Sequence, residues 1–239
     1  NCMGNKIANV DLSKHTALKT LNMSDNTLSA ITLTQTETIK TLLLNNNLLT
    51  SVDLTKNTGL TELNVSYNNL MSLNVSKNTA LTTLTANSNT VRTISLPQST
   101  TLTTLNVNSN ALTSIDVSNC TALTNLYLGE NQLTALDVSK NTKLKEIECH
   151  SNRFTTLDFS KNSSLRKISC YYNQIYDVPS GAQNGESFVA NLPNIYVNGF
   201  NHGDILFTTV TDANNLTKDQ VSIAISKGWR MKFDDGTTY

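Results

Sequence analysis

The chain has 239 residues, of which 38% are apolar and 15% charged, a composition typical of one or two folded domains. Eighteen basic and eighteen acidic residues cancel, so no net charge favours nucleic acid or an anionic membrane as a partner. No apolar run is long enough to span a membrane, and the first five residues do not form a signal peptide.

A period of 21 residues dominates the chain from residue 2 to residue 178. Each period begins with three apolar positions, such as Leu60, Leu63 and Val65, and then a column that is Asn in every copy from Asn5 to Asn173. A fixed period of about 20 to 50 residues decides the architecture before local propensities do. The period therefore predicts a β-rich solenoid, with one turn of the coil for each repeat.

Every repeat contains two similar arms, as residues 60–68 and 70–78 show, and in each arm apolar residues alternate with other residues. This alternation predicts strands that stack in parallel about 4.7–4.9 Å apart. We expect one parallel sheet from the first arms and a second, more irregular one from the second arms. The polar column of the second arm varies among His, Thr, Asn, Ser and Cys, which predicts a less buried corner with His15 as a polar substitute.

The repeat pattern is L-x-x-L-x-[L/C]-x-x-N-x-L-x-x-L-D-[L/V]-x-x-N, seen in residues 123–141 and, with small variations, in 144–162. It resembles the IRREKO class of bacterial leucine-rich repeats. It is similar to surface and secreted repeat proteins of gut Bacteroidetes and, more distantly, to internalins. The resemblance covers about three quarters of the chain. It implies a right-handed leucine-rich-repeat coil, export to the cell surface or medium, a possible upstream lipid or surface anchor, and a protein or glycan ligand. It implies no catalytic residue.

The four cysteines occupy repeat positions that predict small buried side chains. Cys2, Cys149 and Cys170 lie in the inward apolar column, and Cys120 lies in the polar column of the second arm. Cys149 and Cys170 are neighbours in adjacent coils, but strands in register direct their side chains in parallel, which suits a disulfide poorly. The three histidines are scattered and no metal or phosphate motif occurs, so we expect no cofactor.

Residues that face outward from the first-arm strands differ between the two ends of the solenoid. In the first five coils they are mostly Asn, Ser and Thr. The last three coils bring aromatic and charged residues within about 10–15 Å of one another. Rings beside carboxylates suit a protein hot spot or a sugar. We therefore predict a ligand-binding surface formed by Tyr127, Glu130, Glu146, Glu148, His150, Lys167, Tyr171 and Tyr172.

Three other interpretations of these residues remain open. The face could be simply solvated, with Glu146 and Lys167 paired across adjacent strands. The uniform polar coils suit a cell-surface spacer that has no ligand of its own. Paired carboxylates among Glu130, Glu146 and Glu148 could also serve glycoside hydrolysis. A flat strand surface disfavours that enzyme, because it lacks a cleft that excludes water and raises the pKa of an acid.

After Asn173 the period fails, since Pro179 interrupts the next coil. We therefore divide the chain into a solenoid, residues 1–178, and a small α+β C-terminal cap, residues 179–239, which covers the apolar end of the last coil. In the cap we predict strands at 195–197 and 205–207, a helix from Thr217 to about Gly228, and a strand at 229–233. Trp229 is expected in the core of this cap rather than in contact with a ligand.

Overall fold

The computed structural model describes residues 1–175, 190–194, 203–208 and 218–233. The chain divides into two compact units. The first unit contains residues 1–115 and 119–123, and the second contains residues 116–118 and 124–239. The predicted fold class is confirmed, because the repeats form a parallel-sheet β-solenoid of about eight turns.

The first unit contains nine short strands: β1 (Asn9–Asp11), β2 (Thr20–Asn22), β3 (Ala30–Thr32), β4 (Thr41–Leu43), β5 (Glu62–Asn64), β6 (Ser72–Asn74), β7 (Thr83–Thr85), β8 (Thr93–Ser95) and β9 (Thr104–Asn106). Strands β2, β4, β5, β7 and β9 come from the first arms and form a parallel sheet in that order. Leu63 pairs with Leu84 and Leu84 with Leu105, so the register repeats every 21 residues as predicted. These central leucines are fully buried.

The second arms of the first unit form smaller and less regular sheets, as predicted. Strand β1 pairs only with β3 and β6 only with β8, while Ser99 and Cys120 form a single bridge. Successive second arms approach too irregularly for one continuous ladder within this unit.

The prediction of a less buried second-arm corner was wrong. Asn57, Asn78 and Asn162 have no exposed surface, although His15 at the same repeat position is exposed. The corner is a tight turn, and the side-chain amide of Asn78 donates to the carbonyl oxygens of Leu54 at 3.1 Å and Asn57 at 2.9 Å. Because these carbonyls belong to the preceding coil, the side chain is held between two coils and excluded from water.

The first-arm asparagines link neighbouring coils through both ends of the carboxamide. In Asn68 the Nδ2 atom donates to Leu44 O, Val65 O and Ser66 O at 3.0–3.1 Å, and Oδ1 accepts the amide of Leu49 at 2.9 Å. The same contacts recur at Asn47, Asn89, Asn110, Asn152 and Asn173. The residue before each of these asparagines has a left-handed backbone, with φ between 51° and 56°.

The second unit contains β10 (Asn125–Tyr127), β11 (Glu146–Glu148), β12 (Lys167–Ser169), β13 (Gly203–Thr208), helix α1 (Lys218–Ser226) and β14 (Trp229–Phe233). The five strands form one parallel sheet in chain order. The predicted helix and the predicted strands at 205–207 and 229–233 are confirmed, while the strand at 195–197 and the cap residue Thr217 lie outside the described residues. The parallel sheet thus continues through β13 and β14, where the repeat pattern has already ended.

Trp229 is buried, with 1% of its surface exposed, as the sequence predicts. Its indole Nε1 donates to Pro193 O at 2.8 Å. The ring covers Gly203, where an added Cβ would lie 2.7 Å from a ring carbon. Glycine is therefore required there, because any side chain would displace the tryptophan from the core.

All four cysteines are thiols. Cys120, Cys149 and Cys170 are buried as predicted. Cys2 was predicted to be buried as well but is exposed, although its backbone amide bonds to Asn22 O in the next coil. Burial raises the pKa of the Cys149 thiol, which keeps it protonated and unreactive. Within the described ranges, no helix has the length and apolar character needed to cross a membrane.

Candidate functional site

The predicted surface lies on the outward face of β10, β11 and β12 in the second unit. The middle residues Leu126, Ile147 and Ile168 are buried, so their neighbours on each strand face the opposite way. In this register Asn125, Glu146 and Lys167 stand side by side, and Tyr127 pairs with Glu148. The sheet therefore places four of the eight predicted residues on one polar face: Tyr127, Glu146, Glu148 and Lys167.

A hydrogen-bonded network joins outward side chains from both ends of these strands. Lys167 Nζ lies 2.5 Å from Glu146 Oε1 and 3.4 Å from Glu148 Oε1. Glu146 Oε2 accepts the hydroxyl of Tyr127 at 3.3 Å and the side-chain amide of Asn125 at 3.2 Å. The cross-strand pairing of Glu146 with Lys167, which the sequence left as an alternative, is present. It fixes both side chains on the face.

Two groups in the network, Lys167 and Tyr127, have shifted pKa values. The hydrogen bond from Lys167 to Glu146 is the main reason that the pKa of Lys167 is raised, so its ammonium stays charged at neutral pH. Burial is the main reason that the pKa of Tyr127 is raised, and the Glu146 carboxylate adds to the effect. Both groups therefore keep one protonation state across the physiological range, and the network is unchanged there.

A stack of rings stands beside the network. The imidazole of His150 and the ring of Tyr171 are parallel within 3°, with centroids 4.6 Å apart. Tyr172 meets Tyr171 at 67°, with centroids 5.2 Å apart. On its other side the imidazole lies over Gly129, where an added Cβ would come within 2.5 Å of Nε2. Gly129 thus leaves the space that the His150 ring occupies.

The environment of His150 is half-buried and negatively charged. Burial is the largest effect and lowers its pKa, while the carboxylates of Glu148 and Glu130 act in the opposite direction. Its Nδ1 lies 3.2 Å from the hydroxyl of Ser151. The imidazole is therefore neutral at physiological pH and stacks as an uncharged ring.

Three outward residues share the left-handed position that precedes the asparagine column. Glu130, Ser151 and Tyr172 have φ values of 55°, 53° and 51°. Glu130 N donates to His150 O at 2.9 Å and Ser151 N to Tyr171 O at 2.9 Å, so these residues stand in adjacent coils. Glu130 and Tyr172 are exposed, and the smaller Ser151 lies between them half-buried.

The structure thus divides the eight predicted residues into two neighbouring groups. Tyr127, Glu146, Glu148 and Lys167 belong to the network, and His150, Tyr171 and Tyr172 belong to the ring stack, with Glu130 at its edge. Asn125, Gly129 and Ser151 also belong to the candidate site but were not predicted from the sequence. A signal for Gly129 was available, because it is the only glycine at its repeat position.

The corresponding face of the first unit carries mostly short polar side chains. Ser24 donates its hydroxyl to Asn45 Oδ1 at 2.7 Å, and Ser66 donates to Asn87 Oδ1 at 2.7 Å. These short polar side chains bond across adjacent coils at the repeat position that Gly129 occupies in the second unit. Among the residues that the structure describes, no group of three or more His, Cys, Asp or Glu side chains could hold a metal ion.

Parallel strands at a spacing of 21 residues, buried leucine columns and inward asparagines define a leucine-rich-repeat fold. The functional domain of InlJ from Listeria monocytogenes, which includes a cysteine ladder, is similar over 92% of this chain and 50% of its own, with 24% identity and a TM-score of 0.63. The leucine-rich repeat domain of APL1B is similar over 80% of this chain and 54% of its own, with 26% identity and a TM-score of 0.60. YopM from Yersinia enterocolitica WA-314 is similar over 88% and 47%, with 18% identity and a TM-score of 0.59.

The chain spans about half the length of these solved structures, and the similarity concerns the fold. No protein-family model and no curated protein matches the sequence. The narrower resemblance to the IRREKO class and to Bacteroidetes proteins stays a prediction.

Proposed function

We propose that this chain is a non-catalytic binding scaffold that recognises a protein or glycan through the outward face of β10, β11 and β12. The main support is the ring stack of His150, Tyr171 and Tyr172, which lies beside the network around Glu146. Apolar ring surface next to directional polar groups is the composition of binding hot spots. The first unit has the same backbone but a face of mostly short polar residues, among which the exposed Tyr67 is an exception.

The rigidity of this surface also supports binding. Gly129 leaves the space that the His150 ring occupies, and Lys167 forms salt bridges with Glu146 and Glu148. Side chains that are already held in one arrangement lose little conformational entropy when a ligand docks. The pair of Glu146 and Lys167 would also stabilise a merely solvated face, so the ring stack is the stronger support for binding.

Export from a bacterial cell, with display on the surface or release into the medium, forms part of the proposal. It rests on the resemblance of the repeat to surface and secreted bacterial proteins. The test is to treat intact cells of the source bacterium with protease and probe with an antibody to the solenoid. Loss of the antibody signal supports export, and a signal that resists protease until the cells are lysed contradicts it.

The hydrolase alternative is poorly supported by the geometry. Both oxygens of Glu146 accept hydrogen bonds, from Lys167 on one side and from Asn125 and Tyr127 on the other. A carboxylate held in this way is badly placed to deliver a proton to a glycosidic oxygen. We therefore propose a binding role for these carboxylates.

A structural spacer is the second candidate. The observation that favours it is the first unit, where Ser24 and Ser66 satisfy Asn45 and Asn87 across adjacent coils. Such a face needs no ligand to complete its hydrogen bonds. In this case the solenoid would only hold another part of the protein away from the cell.

The test of binding is the combined substitution Tyr127→Ser, Tyr171→Ser and Tyr172→Ser, probed on arrays of glycans and extracellular proteins. We expect the wild-type chain to capture at least one arrayed ligand and the triple variant to lose it, because the rings supply the apolar contact. Tyr67→Ser is the matched control, since Tyr67 has the same repeat position and backbone as Tyr172 but lies in the first unit.

Circular dichroism should show that both variants remain folded. Capture that survives the triple substitution would place the binding surface elsewhere. A wild-type chain that captures nothing would favour the spacer.

A further inference from the structure

A notch lies on the outward face of the second unit between two exposed side chains. Glu130 and Tyr172 occupy the same repeat position in coils that are separated by one coil, which places their backbones about 9–10 Å apart. Ser151 stands between them with the same backbone conformation. Because equivalent backbones project their side chains in the same direction, the carboxylate and the tyrosine ring form two walls above a small residue.

The floor of the notch is polar and supported from below. The Ser151 hydroxyl lies 3.2 Å from His150 Nδ1, and His150 is itself held between Gly129 and Tyr171. Tyr171 in turn contacts the ring of Tyr172. The stack therefore fixes both the floor and the aromatic wall before any ligand arrives.

Carboxylates outnumber cations around the notch. Glu130, Glu146 and Glu148 bring three carboxylates to this part of the sheet face, while Lys167 brings one ammonium and Arg153, which donates to Gln132 at 3.2 Å, brings one guanidinium. The ammonium contacts Glu146 and Glu148, the carboxylates of the network. Glu130 and Glu148 both act electrostatically on His150, which shows that their field reaches the floor of the notch.

A planar cation matches this combination of walls. A guanidinium can donate hydrogen bonds in its plane to a carboxylate while its face stacks on an aromatic ring. The attraction of a cation to a tyrosine ring adds to the attraction of the carboxylates. Neutral sugars carry no charge that these carboxylates could attract, and anionic glycans would be repelled by them.

We propose that the notch between Glu130 and Tyr172 binds an arginine side chain from a basic segment of a protein partner. The guanidinium lies over Ser151, donates to the Glu130 carboxylate and stacks on Tyr172. This inference rests on the proposed function and narrows its ligand from a protein or glycan to a basic polypeptide.

The test uses a short fluorescent Gly/Ser peptide that carries arginines, with citrulline and glutamate versions of the same peptide as comparisons. Binding to the whole chain is followed by fluorescence anisotropy at low ionic strength. We expect the arginine peptide to bind and the citrulline and glutamate peptides to bind at least about tenfold more weakly, since citrulline keeps the shape but loses the charge.

Two substitutions examine the notch itself. Glu130→Gln removes the carboxylate and keeps its size, and Ser151→Leu fills the space between the walls. Each should raise the Kd of the arginine peptide about tenfold or more. The matched controls Asp25→Asn and Ser88→Leu make the same kinds of change at the same left-handed repeat position in the first unit, so they carry the same backbone strain. They should leave the Kd unchanged.

The outcomes separate the inference from the proposed function. An equal loss in Asp25→Asn would mean diffuse electrostatic adsorption and would overturn the notch. Equal binding of the arginine and citrulline peptides, or no binding of the arginine peptide at millimolar concentration, would overturn it as well. If a neutral glycan is captured on the arrays and lost in the triple tyrosine variant, the scaffold function stands and the basic ligand is wrong.

Discussion

Asn110 shows what a single repeat position contributes to the solenoid. Its Nδ2 atom donates to Ala86 O, Val107 O and Asn108 O at 3.0–3.1 Å, and its Oδ1 accepts the amide of Val91 at 3.0 Å. Alanine would leave this amide and these carbonyls without their side-chain partner in a partly buried corner. We expect Asn110→Ala to lower the free energy of unfolding by about 1–3 kcal/mol.

Denaturant titration measures that change. Thr113→Ala is the control, because Thr113 is exposed and follows the asparagine column in the same coil. An unfolding midpoint that is the same in Asn110→Ala and in wild type would show that water replaces the carboxamide at no cost.

Because Gly129 has no side chain, it leaves room for the His150 ring of the next coil. A methyl group at this position would lie 2.5 Å from His150 Nε2, so the imidazole must move away from its half-buried place. Burial is the main reason that the pKa of His150 is lowered. We therefore expect Gly129→Ala to raise the pKa of His150 while the protein stays folded.

Titration of the imidazole protons by NMR tests this prediction. His150→Gln identifies the signal, and the exposed His15 in the first unit serves as an internal reference. If the pKa of His150 is unchanged in Gly129→Ala, the ring does not depend on the space that Gly129 leaves.

The eight residues of the proposed surface could be chosen from the sequence because outward columns can be compared between coils of one chain, and their role in binding stays a prediction. The side-chain contacts that these residues make could not be predicted. Whether Lys167 approaches Glu146 or Glu148 depends on rotamers, and the structure shows a shorter contact with Glu146. The position of His150 depends on a glycine in the preceding coil, 21 residues away, which no local pattern around His150 reveals.

At the scale of elements, β13 and β14 are joined by a small ion-pair cluster. Asp204 on β13 contacts Arg230 at 2.8 Å and Lys232 at 2.9 Å on β14. Burial alone would raise the pKa of Asp204, but the hydrogen bonds from the two cations lower it overall. A lowered pKa in the folded state stabilises the fold above the ordinary value of 3.8, and this stabilisation is lost as the pH falls below it.

We expect Asp204→Asn to lower the unfolding midpoint at pH 7, with a cost of about 0.5–1 kcal/mol because the group is partly exposed. At acid pH, once the aspartate is protonated in wild type as well, the difference should shrink towards zero. Thermal unfolding at both pH values measures it. An equal difference at the two pH values would show that packing, not charge, is responsible.

The strands of the repeats were predictable and the continuation of the sheet was not. Alternation of apolar residues identified β5 and β7, and the period identified their partners. Strands β13 and β14 were predicted as strands, but Ile205 and Met231 no longer follow the 21-residue spacing that would have placed them beside Ile168. Only backbone hydrogen bonding in the folded chain decides that they extend the same sheet.

At the scale of the whole molecule, each coil makes its main contacts with the coils before and after it. Deletion of residues 81–101 removes one full period and brings Leu102 to the position of Leu81. Since Leu63 and Leu105 then meet as Leu63 and Leu84 now do, we expect the shortened chain to fold with the same circular dichroism per residue.

The control is deletion of residues 81–85, which removes only part of a coil and brings Asn89 to the position of Leu84 and Asn110 to the position of Leu105. That variant should fail to fold or should lose most of its stability, because inward leucines would meet polar positions. Equal behaviour of the two deletions would show that the period is not the unit of stability.

The sequence by itself determined the period, the inward columns and the parallel register, because every coil repeats the same environment and one chain supplies many independent copies of each position. It also showed that the period fails after Asn173 and that the outward residues stop being uniform in the last three coils. The tertiary structure decided how deeply the second-arm asparagines are buried, which partners the outward charges choose, and where the strands after the last repeat attach. These features depend on contacts between side chains in different coils, and residues outside the repeat pattern carry no spacing from which such contacts can be inferred.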